Sequence, residues 1–211
     1  MFWDYERRPL SMTKLRLKSE RAIKRMSKSQ PSRAPVRVEG RTIARSYWGK
    51  AWCRHLESFS DYSSRLGRGR SYLYAGAVLD LQLHQGQIIA EVQGSRLYHQ
   101  TIEVETLSAT QRAELRTLAA GKIDSLVSLL RGQLPDALLA AMTDPKHGVF
   151  PLVDQIRLEC SCPDWASLCK HLAAVLYGMG ARLDESPELL FKLRGLRLDE
   201  LLQHAEPAAL T

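Results

Sequence analysis

Apolar residues along the chain change their spacing from region to region. Trp48, Trp52, Leu56 and Phe59 recur at helical intervals in YWGKAWCRHLESF, which predicts a short amphipathic helix. Over 71–105 the period becomes two. Leu79, Leu81 and Leu83 alternate with Asp80 and Gln82, giving one dry face and one wet face. His84-Gln85-Gly86-Gln87 turns the chain into a second strand over 88–92. Gly94-Ser95 turns it again, and Tyr98, Ile102 and Val104 mark one face of a third strand. These make an antiparallel three-stranded meander. Helices follow: Ser108 and Gln111 form a capping box for a helix to about 120, and two more span 123–130 and 135–142, the latter opened by Pro135. After a loop at 144–148, residues 156–160 read as extended, and helices are predicted over 170–179, 187–194 and 198–204. The fold class is α+β, with order beginning near Val36.

Charge divides the chain unevenly. Residues 1–50 hold 14 Lys/Arg against 4 Asp/Glu, while the remaining residues carry a slight acidic excess within a total of +7. Leu15, Leu17, Ile23 and Met26 give 13–28 the weak apolar stripe of a short basic helix, too sparse to predict a stable one, so residues 1–35 read as a basic leader that is flexible or folds only on contact. Such an arm is attracted to polyanions by charge, or serves as a solvated tail. Residues 36–150 then form an α+β unit, and 151–211 a separate C-terminal one. No apolar run approaches the ~20 residues of a membrane span, and charges stand in MFWDYERRPL where a secretory leader would be apolar, which places the expected location in the cytoplasm.

Three of the four cysteines lie within ten residues, in Cys160-Ser-Cys162-Pro-Asp-Trp-Ala-Ser-Leu-Cys169-Lys-His171. A disulfide framework spreads its cysteines, whereas this clustering indicates a metal site. Two cysteines one residue apart on an extended segment project to the same side. On a helix, residues i and i+2 point about 200° apart, so Cys169 must lie at or just before a helix start, with His171 in its first turn. Three thiolates and one imidazole are a closed structural zinc set, and Lys170 offsets the residual negative charge. A Cys-His nucleophilic pair would need neither the Cys-x-Cys nor this spacing. With no core of their own, 156–180 are expected to unfold selectively on chelation. Cys53, beside the apolar face of its helix, reads as a buried core thiol, and His99, His147 and His204 as ordinary surface histidines.

The pattern Cys160-x-Cys162-x6-Cys169-x-His171 resembles the SWIM zinc finger, and SYWGKAWCRHLE, SSRLGRGRSYLYAGAVLDLQL and VQGSRLY are similar to segments of bacterial SWIM proteins. The resemblance covers about 36–196 and implies a β-hairpin/α-helix finger holding one Zn²⁺ through Cys160, Cys162, Cys169 and His171. It also implies binding to DNA or to protein partners, commonly alongside Swi/Snf-type helicases; a DNA-binding role would place the protein at the nucleoid within the cytoplasm. The chain itself has no G-x-x-x-x-G-K-[ST] loop, no paired carboxylates and no catalytic triad pattern, and reads as a non-enzyme.

Arg65, Arg68 and Arg70, with Tyr72 and Tyr74 after them, are candidate nucleic-acid contacts: arginines reach phosphates and rings stack on unpaired bases. The same residues also fit a turn into a strand whose tyrosines pack inward. Lys170 belongs to a second basic set with Arg182, Lys192, Arg194 and Arg197. Two functions follow: a zinc-stabilised nucleic-acid-binding accessory, or a protein-interaction adapter for a helicase or other DNA-processing complex. Leu189, Leu190, Leu193 and Leu196 would form the adapter's docking stripe, unless they pack in the core.

Overall fold

The computed structural model describes residues 10–29, 32–123, 125–144 and 147–202. The first nine residues, parts of the 30–31 and 144–148 connections, and His204 with the end of the helix expected at 198–204 lie outside them.

An antiparallel sheet in the order β1 (Val78–His84), β2 (Gln87–Gln93), β3 (Leu97–Val104), β4 (Ile156–Cys160) is covered on one face by helices. The first three strands are the expected meander, with Leu81 opposite Ala90 and Val92 opposite Tyr98. The strand leading to the cysteines joins the same sheet: Ile102 faces Leu158 and Gln100 faces Cys160. Two backbone bonds from residues 34–36 cover the β1 edge, Val36 to Val78 and Leu81 to Ala34, both 3.1 Å.

The centre of the core is α7 (Lys170–Glu185), buried on every side from His171 to Gly180. An all-round apolar helix of this kind requires neighbours on all faces. The sheet lies on one side; α2 (Tyr47–Glu57) and α3 (Ser63–Tyr74) lie on the other. Ser46 caps α2, accepting from the Gly49 amide at 3.1 Å. Trp48 and Trp52 are fully buried, their indole N–H groups donating to the carbonyls of Leu129 and Leu176 at 2.8 Å. Small residues set the helix crossings. A Cβ on Gly69 would sit 2.4 Å from that of Ala173, and one on Gly49 would sit 2.6 Å from the Gly180 carbonyl.

Two expectations fail here, both through period. SSRLGRGRSYLY is helix α3, not the entry to a strand, and β structure begins at Val78. Leu66, Gly69, Tyr72 and Leu73 are its buried face, at helical spacing; the Tyr72/Tyr74 alternation gave a false period of two. The basic leader, expected to be flexible, contains helix α1 (Met12–Ser29). A narrow stripe suffices to dock it: Leu15, Ser19 and Ala22 are buried, and α1 touches β1, β2 and α3.

The remaining helices are α4 (Ala109–Ala119), α5 (Leu126–Arg131), α6 (Asp136–Met142), α8 (Glu188–Leu193) and α9 (Leu198–Leu202). The Ser108/Gln111 capping box opens α4. Leu190, Leu193 and Leu196 are buried, so the C-terminal leucines pack in the core. Arg194, expected on a basic surface, is buried. It donates to the Glu105 carbonyl and to Gln155 Oε1, the latter at 3.1 Å, tying the end of α8 to the chain just after β3 and just before β4, and burial lowers its pKa to about 10. Arg182 bonds the carbonyls of Ala34 and Pro35 at 2.7 and 3.1 Å, and Arg197 pairs with Asp199; the second basic set is therefore dispersed. Among the described residues no helix is long and apolar enough to cross a membrane.

Candidate metal centre

Four side chains converge where β4 ends and α7 begins. Cys160 is the last residue of β4, and Cys162 follows one residue into the bend. Cys169 occupies the N-cap position of α7 with extended backbone (φ −87°, ψ 167°), and His171 lies in the first helical turn. This placement is the one that i/i+2 geometry requires. The four candidate ligand atoms all lie within 4.8 Å of one another, and His171 Nδ1 is 3.9 Å from Cys160 Sγ and 3.8 Å from Cys169 Sγ. Ligands about 2.3 Å from a tetrahedral ion stand ~3.8 Å apart, so the cluster has the size of a zinc sphere. Three sulfurs and one imidazole complete a four-coordinate set with no open position, which is a structural site for one zinc ion.

Metal-free, the cluster shares its protons unevenly. A hydrogen bond from the Cys169 thiol, with smaller ones from His171 and Gln100, overcomes burial and holds the Cys160 thiol at about 3. Cys169 is pushed up by that same bond to Cys160 and by burial; Cys162 is pushed up chiefly by burial. Zinc would displace the remaining thiol protons, so its binding releases protons.

The surrounding residues explain segments that spacing alone left without chemistry. Gln100, buried on β3, donates from Nε2 to Cys160 Sγ at 3.3 Å. The His171 ring is walled by Tyr98 (centroids 4.5 Å apart) and by Tyr72 edge-on at 5.3 Å. Gly94 in VQGSRLY makes room for it: a Cβ there would lie 2.8 Å from His171 Nε2 and from the Tyr98 ring. Ser95 Oγ and Tyr98 OH are 2.7 Å apart, and Ser161 Oγ accepts from the His99 amide at 2.9 Å. Gln100, Tyr98 and Gly94 escaped the sequence reading because their partner lies some 60 to 77 positions away.

The expected nucleic-acid contacts fare differently from one another. Tyr72 is buried against His171 and has no free face for a base. Arg70 is paired with Glu57 at 2.5 Å and bonds Tyr177 OH at 3.0 Å. Arg65 lies 3.6 Å from Asp164. Arg68 is exposed, and the Lys170 ammonium stands 5.9 Å above the Tyr72 ring. Arg65, Arg68 and Lys170 thus gather beside the cysteine loop, while Arg70 turns to α2 and α7. Cys53, half-buried, is pushed up to about 12 by burial and is an inert thiol.

Residues 150–177 match the family model described as SWIM zinc finger. The chain is also similar to Rv2102, an uncharacterized protein of Mycobacterium tuberculosis, at 33% identity over 169 residues, which is 79% of this chain. It spans 61% of that relative's length. No solved structure matches.

Proposed function

Since the chain is a SWIM zinc finger protein with one structural zinc ion, we propose that it is a non-catalytic accessory that binds nucleic acid, DNA foremost, through phosphate-directed basic surface. The observation that carries this reading is the outer face of α1. Lys14, Lys18, Arg21, Arg25 and Lys28 recur at intervals of four, three, four and three, forming one ridge along the helix about 90° around from the buried Leu15/Ala22 stripe. No acidic position falls on that ridge; Glu20 lies to its flank. Fourteen residues of helix measure ~21 Å, a length over which one DNA strand presents about six phosphates. Like charges at these spacings cost the helix about 0.2–0.5 kcal/mol per pair, and a polyanion relieves that cost. Lys18 also bonds the carbonyls of Gly94 and Ser95 at 3.3 and 2.5 Å, joining the ridge to the turn beside His171.

Such binding reads phosphates rather than bases, which suits an accessory whose partner supplies the chemistry. A Swi/Snf-type helicase in the cytoplasm or nucleoid fits that role, and the SWIM resemblance supports it. The test is duplex binding across a salt series. Three phosphate contacts, from Lys14, Arg21 and Lys28, give a slope of log K against log salt near −2.7. Combining Lys14→Glu, Arg21→Glu and Lys28→Glu should remove most of that slope and weaken binding at least tenfold. No retention at low salt, or a flat slope, refutes the reading; a stoichiometric co-purifying protein in that case favours the adapter.

A further inference from the structure

Among the described residues, one large apolar side chain is left wholly outside the protein. Trp165 is 99% exposed, whereas Trp48 and Trp52 are fully buried. An indole contributes to stability chiefly by leaving water, so here it adds nothing to the fold. Its loop is nonetheless held at many points. Cys162 and Cys169 bracket it as metal ligands, Leu168 is buried behind it, Asp164 Oδ1 accepts from the Ala166 amide at 3.3 Å, and Arg65 lies 3.6 Å from the same carboxylate. With its two ends held as metal ligands, the six-residue loop between Cys162 and Cys169 would present the ring on a fastened support.

We infer that Trp165 is a stacking platform for an unpaired base, which makes single-stranded nucleic acid the preferred ligand of this face. This rests on the nucleic-acid reading proposed above. Two cations stand on the α3 and α7 side of the loop, exposed Arg68 and Lys170 above Tyr72, with Arg65 paired to Asp164 beside them. Of the nearby acids, Asp164 is taken by Arg65, and Glu159 lines the adjoining groove, which none of these cations lines. Those cations complement a phosphate backbone, while an indole face accepts any base. The groove beside the ring is mixed, with Leu158, Ala166 and Leu172 next to Thr101, Glu159 and Ser167, so it is the cations beside the loop, not the groove, that favour a nucleic acid over a protein side chain. Bases inside a duplex are already stacked and offer the ring nothing.

The test measures binding of a labelled 12-nucleotide oligothymidylate and of a 12-base-pair duplex by zinc-loaded full chain. Wild type is compared with Trp165→Ala and Trp165→Phe, with zinc content confirming the fold. Loss of one stacked base weakens single-strand binding about 5- to 150-fold. Trp165→Phe should lie between, duplex affinity should change less than twofold, and the salt slope should stay the same because no charge is removed. Quenching of indole fluorescence by the oligonucleotide should vanish in Trp165→Phe. Unchanged single-strand affinity in Trp165→Ala overturns the inference while leaving the salt-dependent binding standing, and equal loss on both ligands overturns the single-strand preference. Wild type that binds neither ligand refutes both this inference and the nucleic-acid reading beneath it.

Discussion

Removing the zinc should loosen the cysteine loop and leave the helix behind it in place. In isolated zinc fingers the metal supplies about 10–16 kcal/mol because nothing else holds the fold, and the short segments around Cys160 and Cys169 suggest that 156–180 would unfold together. Packing says otherwise. Leu172, Val175, Leu176, Tyr177, Met179 and Leu183 of α7 are buried to within 2%. At about 1.5–3 kcal/mol each, they contribute about 9–18 kcal/mol that needs no metal. β4 is likewise held by its ladder to β3. Between Cys162 and Cys169, by contrast, Leu168 is the one buried residue. Hydrogen exchange before and after chelation checks this: amides of 161–168 should lose protection, while those of 172–180 and 156–159 keep most of theirs. Loss of protection across 172–180 at the rate of the loop would show that the metal nucleates the core, and would refute the burial argument.

Two further perturbations bear on particular residues. Gly94→Ala places a methyl 2.8 Å from His171 Nε2; overpacking of that kind costs about 1–3 kcal/mol, and competition with a chromophoric chelator should show at least a fivefold weaker hold on zinc, whereas unchanged affinity would mean the turn simply moves aside. Buried His55, bonded to the Pro151 carbonyl at 2.7 Å, has its pKa lowered chiefly by burial, so the unfolded chain takes up this proton first near pH 6.5 and stability falls as pH drops from there toward the folded-state value. Denaturant unfolding with saturating zinc at pH 7.5 and 5.5 should therefore cost wild type more stability than His55→Gln, and parallel losses would count against it.

Much of the fold was legible because its signals are local. The alternation of Leu81, Gln82 and Leu83, the glycine turns and the Ser108/Gln111 cap each depend on neighbours within a few residues, whereas Asp80, expected on the wet face, is buried beside a bulge where its carboxylate accepts from the Ala34 amide at 2.8 Å. The helix α3 was misread because two tyrosines two apart imitate a strand, while the residue that reveals its true face, Gly69, has meaning only against Ala173. The helix α1 was discounted because its stripe is narrow, and whether a narrow stripe suffices depends on the surface it meets.

The amino-acid order by itself determined the metal centre. Donor type and a spacing of one, six and one residues leave little freedom in how four ligands close on one ion, and the i/i+2 argument placed the start of α7 in advance. Tertiary structure alone decided what lies around that centre: that β4 extends the meander, that Gln100, Gly94 and Tyr98 enclose the ligands, that Tyr72 is walled in and Trp165 is not. Coordination acts over a few ångströms along a short stretch of chain, so it is written in sequence. Burial depends on which distant segments come together, and no local pattern records that.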